Sequence, residues 1–161
     1  MQLDTSGTLI AGGRPELGAT AALMGAQPAG FGGWTMLSMH DLQIAKSGMA
    51  GLGYDPNNGY VENYLFGAGI ELHSVFGDLW AWYGLAGFAL AVVLAVLFVS
   101  RVGMLAIARS ASALVLFLGI KAMWDLMFSP VETSLTTLVL GVALLAPARM
   151  PTARIRAAPN R

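Results

Sequence analysis

Residues 79–100, LWAWYGLAGFALAVVLAVLFVS, run without a charged side chain between Asp78 and Arg101. As a helix this run rises about 33 Å, enough to cross a bilayer's hydrocarbon core, and a soluble core helix has no use for such a length. Trp80, Trp82 and Tyr83 crowd its first turns, where amphipathic rings favour the headgroup level, and Arg101 closes the far end as a cation able to reach the interface. The run reads as a transmembrane helix. Of the two apolar stretches that follow, residues 110–128 are interrupted only by Lys121 and Asp125, and residues 133–148 carry no charge but reach only about 24 Å. Hydrophobic residues make up 56% of the chain and charged residues 11%, with a mean hydropathy of +0.64, well away from soluble domains. The expected fold is an all-α integral membrane protein. It has a helical extracytoplasmic segment over residues 1–78, about three transmembrane helices near 79–100, 110–128 and 133–148, and a basic cytoplasmic tail over 149–161.

The basic residues set the orientation. Arg101 and Arg109 bracket the link between the first two spans, and Arg149, Arg154, Arg156 and Arg161 follow the third, so both places are expected inside and residues 1–78 outside. That outer segment carries Arg14 and Lys46 against seven carboxylates, a local balance of −5 hidden by the overall net charge of zero. The opening MQLDTSGTLIAGGRPEL has neither a basic n-region nor an apolar h-region to carry it across a membrane. These residues are therefore expected to be the C-terminal part of a larger multispanning protein.

Within the outer segment, PELGATAALMG reads as a helix with Pro15 in its first turn and Gly25 as its stop, followed by a flexible GFGG break. WTMLSMHDLQIAKSG reads as a second helix ending at Gly48, DPNNG as a turn, YVENYLF as a third short helical piece, and GAG as a hinge before His73. Nothing alternates as a strand would. There is no cysteine, so disulfide and thiolate chemistry are excluded. GAG and GFGG lack the strand and helix context of a nucleotide loop, and no cofactor, metal or nucleic-acid partner is expected.

The order of these features resembles the O-antigen ligase and O-antigen polymerase superfamily. An Arg opens a short helix (GGRPELGATAALMGAQP), a Gly-rich break follows (GFGGW), and His73-Ser74 leads into a span containing WYGLAGFALAVVL, with KAMWDLMFSPVETSLTTLVLGVALL beyond. The resemblance covers residues 5–147 and corresponds to the C-terminal part of such a protein. Ser74 stands where the family often has Asn, and Gly18 and Ala19 where it often has Trp after the Arg. Trp82 and Tyr83 stand where it often has Glu before the glycine of the span.

The resemblance implies glycosyl transfer on the outer face of a bacterial cytoplasmic membrane. A glycan on a polyprenyl diphosphate passes to a lipid or glycan acceptor hydroxyl without a metal, in the assembly of lipopolysaccharide or another cell-surface polysaccharide. Arg14 would pair with the diphosphate oxygens, for which a planar guanidinium is suited. His73 would take the acceptor hydroxyl's proton or orient that hydroxyl. Each has a plainer reading, as an interfacial hydrogen-bonding histidine and a helix-start arginine. Glu71 either tunes His73 or is an exposed loop carboxylate. His40 reads as a residue of a polar helix face. Lys121 and Asp125, four apart on one face, form either a structural ion pair or a contact to the lipid diphosphate. The alternative for the whole chain is a non-catalytic small membrane protein or assembly subunit whose outer segment binds a partner.

Overall fold

A computed structural model describes residues 13–33, 35–110 and 112–146. The basic tail, with Arg149, Arg154, Arg156 and Arg161, lies outside the described residues. Among the described residues, five α-helices and a π-helical turn form a small head joined to a three-helix bundle, and no strand occurs.

The head holds α1 (Pro15–Ala26), α2 (Met39–Ala50) and the π-helical turn Tyr60–Leu65. Pro15 starts α1 because its missing N–H and fixed φ fit a helix's first turn. Helix α2 starts at Met39, five residues after Trp34, because the Ser38 hydroxyl accepts the Asp41 N–H at 3.2 Å and sets the cap there. The two helices cross at Gly18 and Gly48, where a Cβ on either would strike the carbonyl of the other. Gly48→Ala should therefore cost about 1–3 kcal/mol, the usual penalty of forcing a methyl into a closed contact. A lower thermal midpoint checks it; an unchanged midpoint would mean that the crossing is loose. After α2, Asp55 and Asn58 close the DPNNG turn: Asp55 Oδ1 accepts the Asn57 N–H at 3.0 Å, and Asn58 Nδ2 donates to the Asp55 carbonyl at 2.8 Å. Asn58 Oδ1 then accepts the N–H of Tyr60 at 3.0 Å and of Val61 at 3.2 Å, so one side chain ends the turn and starts the π-helix.

The bundle consists of α3 (Val75–Ile107), α4 (Ala113–Phe128) and α5 (Val131–Leu145). Ser74 and Ser112 cap α3 and α4 through hydroxyls that accept the N–H of Gly77 and Val115. Helix α3 runs away from the head, α4 returns, and α5 runs away again; Phe98, Ala122, Leu138 and Leu145 fill the core between them. A second core under the head contains Leu23, Met49, Val61, Leu65 and Trp80, so α3 contributes to both.

Helix α3 is broken where the two cores meet. Gly84 adopts φ 61° and ψ −144°, and the loop after α1 fills the break. The Phe31 and Gly32 N–H groups donate to the Ala81 carbonyl at 2.7 and 3.1 Å, and Trp80 Nε1 donates to the Pro28 carbonyl at 3.0 Å. Gly84 thus breaks the helix in a backbone conformation that glycine adopts readily.

Beyond Gly84, residues 85–107 continue helical for about 34 Å, and α3 is the one described helix long and apolar enough to cross a membrane. Only 17% of its most apolar stretch is buried, unlike the core helix of a soluble protein. Leu85, Val93, Val96, Phe117, Ile120, Leu135 and Val139 line the outside of the bundle as exposed apolar side chains. Helices α4 and α5, with 16 and 15 residues, are each shorter than the roughly 20-residue length of a full span. The three-span expectation therefore reduces, on helix length, to one long apolar helix with two shorter companions.

Candidate functional site

Asp78, read from the sequence only as the edge of an apolar run, organises the junction of head and bundle. Its side chain is 1% exposed, and its two oxygens accept the N–H of Leu72 at 2.7 Å and of Val131 at 3.0 Å. Val131 opens α5, where N–H groups have no helical acceptor, so the carboxylate supplies both the acceptor and the favoured charge at that terminus. One buried side chain thus joins the segment before His73, the start of α3 and the start of α5.

His73 is pinned between the Asp78-bound Leu72 and the Ser74 cap, and has φ 49°. A positive φ outside glycine is uncommon, and histidine is among the residues that tolerate it. This backbone turns the imidazole back toward the π-helix. Its Nδ1 lies 2.7 Å from the Tyr60 hydroxyl, with ring centroids 5.7 Å apart, and its Nε2 lies 3.3 Å from Glu71 Oε1. A carboxylate can only accept, so Nε2 carries the proton and Nδ1 accepts from Tyr60 in the neutral ring, a tautomer assigned from this network. The result is a carboxylate–imidazole–hydroxyl chain, Glu71–His73–Tyr60. The Glu71 side chain is 41% exposed and that of His73 is 22% exposed.

Burial, and after it the nearby Glu16 carboxylate, push the Tyr60 phenol up to about 12, while the Arg14 guanidinium pulls it down. Tyr60 thus stays a donor at neutral pH. Because the folded protein prefers the phenol, the stability from this group is complete below pH 10 and falls as pH rises through 10 toward 12. An absorbance titration of the wild type minus Tyr60→Phe should place the missing phenolate step near pH 12. A difference step at pH 10 would mean that the phenol is freely solvated.

Arg14 and Glu16 face the same region, since both bear electrostatically on Tyr60. Arg14 donates from both terminal nitrogens to the Phe128 carbonyl at 3.4 Å and from Nη1 to Glu16 Oε1 at 3.3 Å; its guanidinium lies 4.9 Å from the centre of the Phe128 ring. Phe128 ends α4, so Arg14 meets an orphan carbonyl at the negative end of a helix and ties head to bundle. Its side chain remains 29% exposed, whereas Glu16 Oε2 is buried without a protein partner.

Lys121 and Asp125 pair at 2.6 Å, and Asp125 also accepts the Ser129 hydroxyl at 3.1 Å. Asp125 is buried and Lys121 is exposed on the bundle's outside. His40 is exposed on α2. Among the described residues no group of three or more His, Cys, Asp or Glu is placed to hold a metal ion.

The arrangement can hold an imidazole in one tautomer and move a proton between a phenol and that ring. Tyr60 was missed by sequence reasoning: it stands 13 residues before His73 and reaches it only through the π-turn. Its one local signal was the Asn58-Gly59 turn that starts the segment. Compared with family models, with curated proteins and with solved structures, the chain matches none.

Proposed function

We propose that the chain is the C-terminal part of a multispanning membrane glycosyltransferase of the O-antigen ligase and polymerase type. In this reading α3, α4 and α5 are embedded in a bacterial cytoplasmic membrane and the head faces outside. The observation that supports it is the Glu71–His73–Tyr60 chain, set immediately ahead of the long apolar helix with Arg14 bearing on the same phenol. An acceptor hydroxyl would hydrogen-bond to the Tyr60 oxygen. As its oxygen bonds to the anomeric carbon of the donor glycan, the bond from that carbon to the diphosphate breaks and the polyprenyl diphosphate leaves with the electron pair. The hydroxyl proton passes to Tyr60 as the Tyr60 proton passes to His73 Nδ1, and Glu71 stabilises the imidazolium. Arg14 would offer its remaining donors to the leaving diphosphate.

Arg14 also favours a second reading. Its donors to Phe128 and Glu16 account for the residue as a clamp within a non-catalytic membrane module. Transfer of glycan from a polyprenyl diphosphate donor, measured in membranes containing the full-length protein, separates the two. Transfer that depends on Tyr60 and His73 supports the enzyme; its absence in well-folded, membrane-inserted protein leaves the module.

A further inference from the structure

An apolar groove of about 480 Å³ runs down the outside of the bundle between α3 and α5, lined by Leu79, Leu90, Leu94, Leu135, Val139 and Val142 among others. Its upper end begins at Val75, Leu79 and Val131, directly beside a cavity of about 130 Å³ in the head. Asp78 and Leu79 are neighbours in sequence, as are Pro130, Val131 and Glu132, and in each set the cavity and the groove take adjacent residues. Both spaces therefore draw on the starts of α3 and α5.

Their dimensions and chemistry select an occupant. Along α5 the groove extends from Val131 to Ala143, a rise of about 18 Å, which is close to one leaflet of a hydrocarbon core roughly 30 Å thick. The cavity at its top is lined by Glu71 and Glu132, by Asp78, whose buried oxygens already accept two backbone N–H groups, and by Tyr64 and Trp82, with no basic side chain in its wall. The carboxylates do not converge tightly enough to hold a metal ion. Acidic groups spread around aromatic faces suit a bulky organic cation, which gains from both the charge and the ring quadrupoles. An anionic headgroup would meet only like charge there.

We propose that this groove and cavity bind one membrane lipid with an ammonium headgroup. One acyl chain lies between α3 and α5, and the ammonium sits among Glu71, Glu132, Tyr64 and Trp82. The cavity shares Glu71 with the His73 chain but takes no lining from Arg14. The lipid site rests on the membrane reading above but not on glycosyl transfer.

Native mass spectrometry of the full chain in detergent, with equimolar phosphatidylethanolamine and phosphatidylglycerol of identical acyl chains, tests it. The ethanolamine lipid should be retained about tenfold over the glycerol lipid, a ratio appropriate to one favourable charge and ring contact. Glu132→Gln should narrow that selectivity, and Val139→Trp should remove both adducts by filling the groove. Should Val139→Trp fail to fold, Leu135→Ser is expected to weaken retention of both lipids. Equal retention of the two lipids by wild type, preference for the glycerol lipid, or selectivity unchanged in Glu132→Gln would overturn the proposal. So would a chain dimer that Val139→Trp abolishes, since the groove would then be a protein interface. Carbonate-washed membranes keep the two failures apart. A chain lost in the wash removes the membrane reading as well, whereas a chain retained there without a selective lipid removes only this inference.

Discussion

In membranes carrying the full-length protein, His73→Ala is expected to slow the proposed glycosyl transfer by about 10²- to 10⁴-fold, the range of a well-placed proton-transfer group. Tyr60→Phe removes only the hydroxyl that donates to Nδ1 at 2.7 Å, yet it should lower the rate nearly as far, because in the proposed mechanism the phenol would lie between acceptor and imidazole. Glu71→Gln should be milder, since it leaves a hydrogen-bond acceptor on Nε2 and removes only the charge. This ordering separates chemistry from architecture. His73 also occupies a positive-φ link between the bound Leu72 and the Ser74 cap, so each variant must first be shown to keep the wild-type thermal midpoint. A folded His73→Ala protein with wild-type rates would remove the proton relay. Wild-type rates in Tyr60→Phe alone would put the acceptor directly against His73.

Arg14→Lys illustrates why the stability control matters. Lysine keeps the charge but cannot present two nitrogens to the Phe128 carbonyl together, and its ammonium stacks less well on the Phe128 ring. The head-to-bundle clamp weakens whether or not Arg14 ever meets a diphosphate. A change in transfer rate without a change in thermal midpoint is the result that would tie Arg14 to substrate.

The sequence made the helices legible where local chemistry decides them. Pro15 starts its helix as read, and the Asp55–Asn58 turn closes as its composition requires, whereas the caps at Ser38, Ser74 and Ser112 start their helices away from the expected 34, 79 and 110. The Lys121–Asp125 pair also followed from spacing alone, because i,i+4 residues share a helix face. What escaped depends on contacts distant in sequence. Arg14 meets Phe128 across 114 positions, Asp78 meets Val131 across 53, and Trp80 meets Pro28 across 52. No periodicity reports such pairings. Helix bounds were misjudged for a related reason: apolar character in residues 110–128 begins ahead of the Ser112 cap, and in 133–148 it runs beyond Leu145, while Pro130 starts the last helix at Val131, ahead of its apolar stretch. Tyr60 and Glu71 gained meaning only once the π-turn and the Asp78 anchor had placed them on either side of one imidazole.

The break at Gly84 carries the largest expected effect on stability. At φ 61° and ψ −144° an L side chain is strained, which costs about 1–3 kcal/mol, and a Cβ there would also strike the Ala29 carbonyl. Forcing that contact adds about 1–3 kcal/mol more, so Gly84→Ala should lower the thermal midpoint by at least about 5 °C in a chain of this size. The protein has one way to escape, which is to straighten α3 into an unbroken helix and expel the loop that fills the break. The Phe31 and Gly32 N–H groups would then lose the Ala81 carbonyl, and Trp80 Nε1 would lose Pro28. Hydrogen exchange distinguishes the two responses. A lower midpoint with Phe31 still protected means that the break persists under strain, while rapid exchange at Phe31 and Gly32 means that α3 has straightened. Gly30 stands opposite with φ 77°, and a Cβ there would press on the Trp80 carbonyl and the Gly84 backbone. Gly30→Ala should therefore be destabilising alone and less than additive with Gly84→Ala, because both disturb one contact. A wild-type midpoint together with undiminished protection at Phe31 in Gly84→Ala would show that the loop does not set the break, and the head would need another explanation for its position on α3.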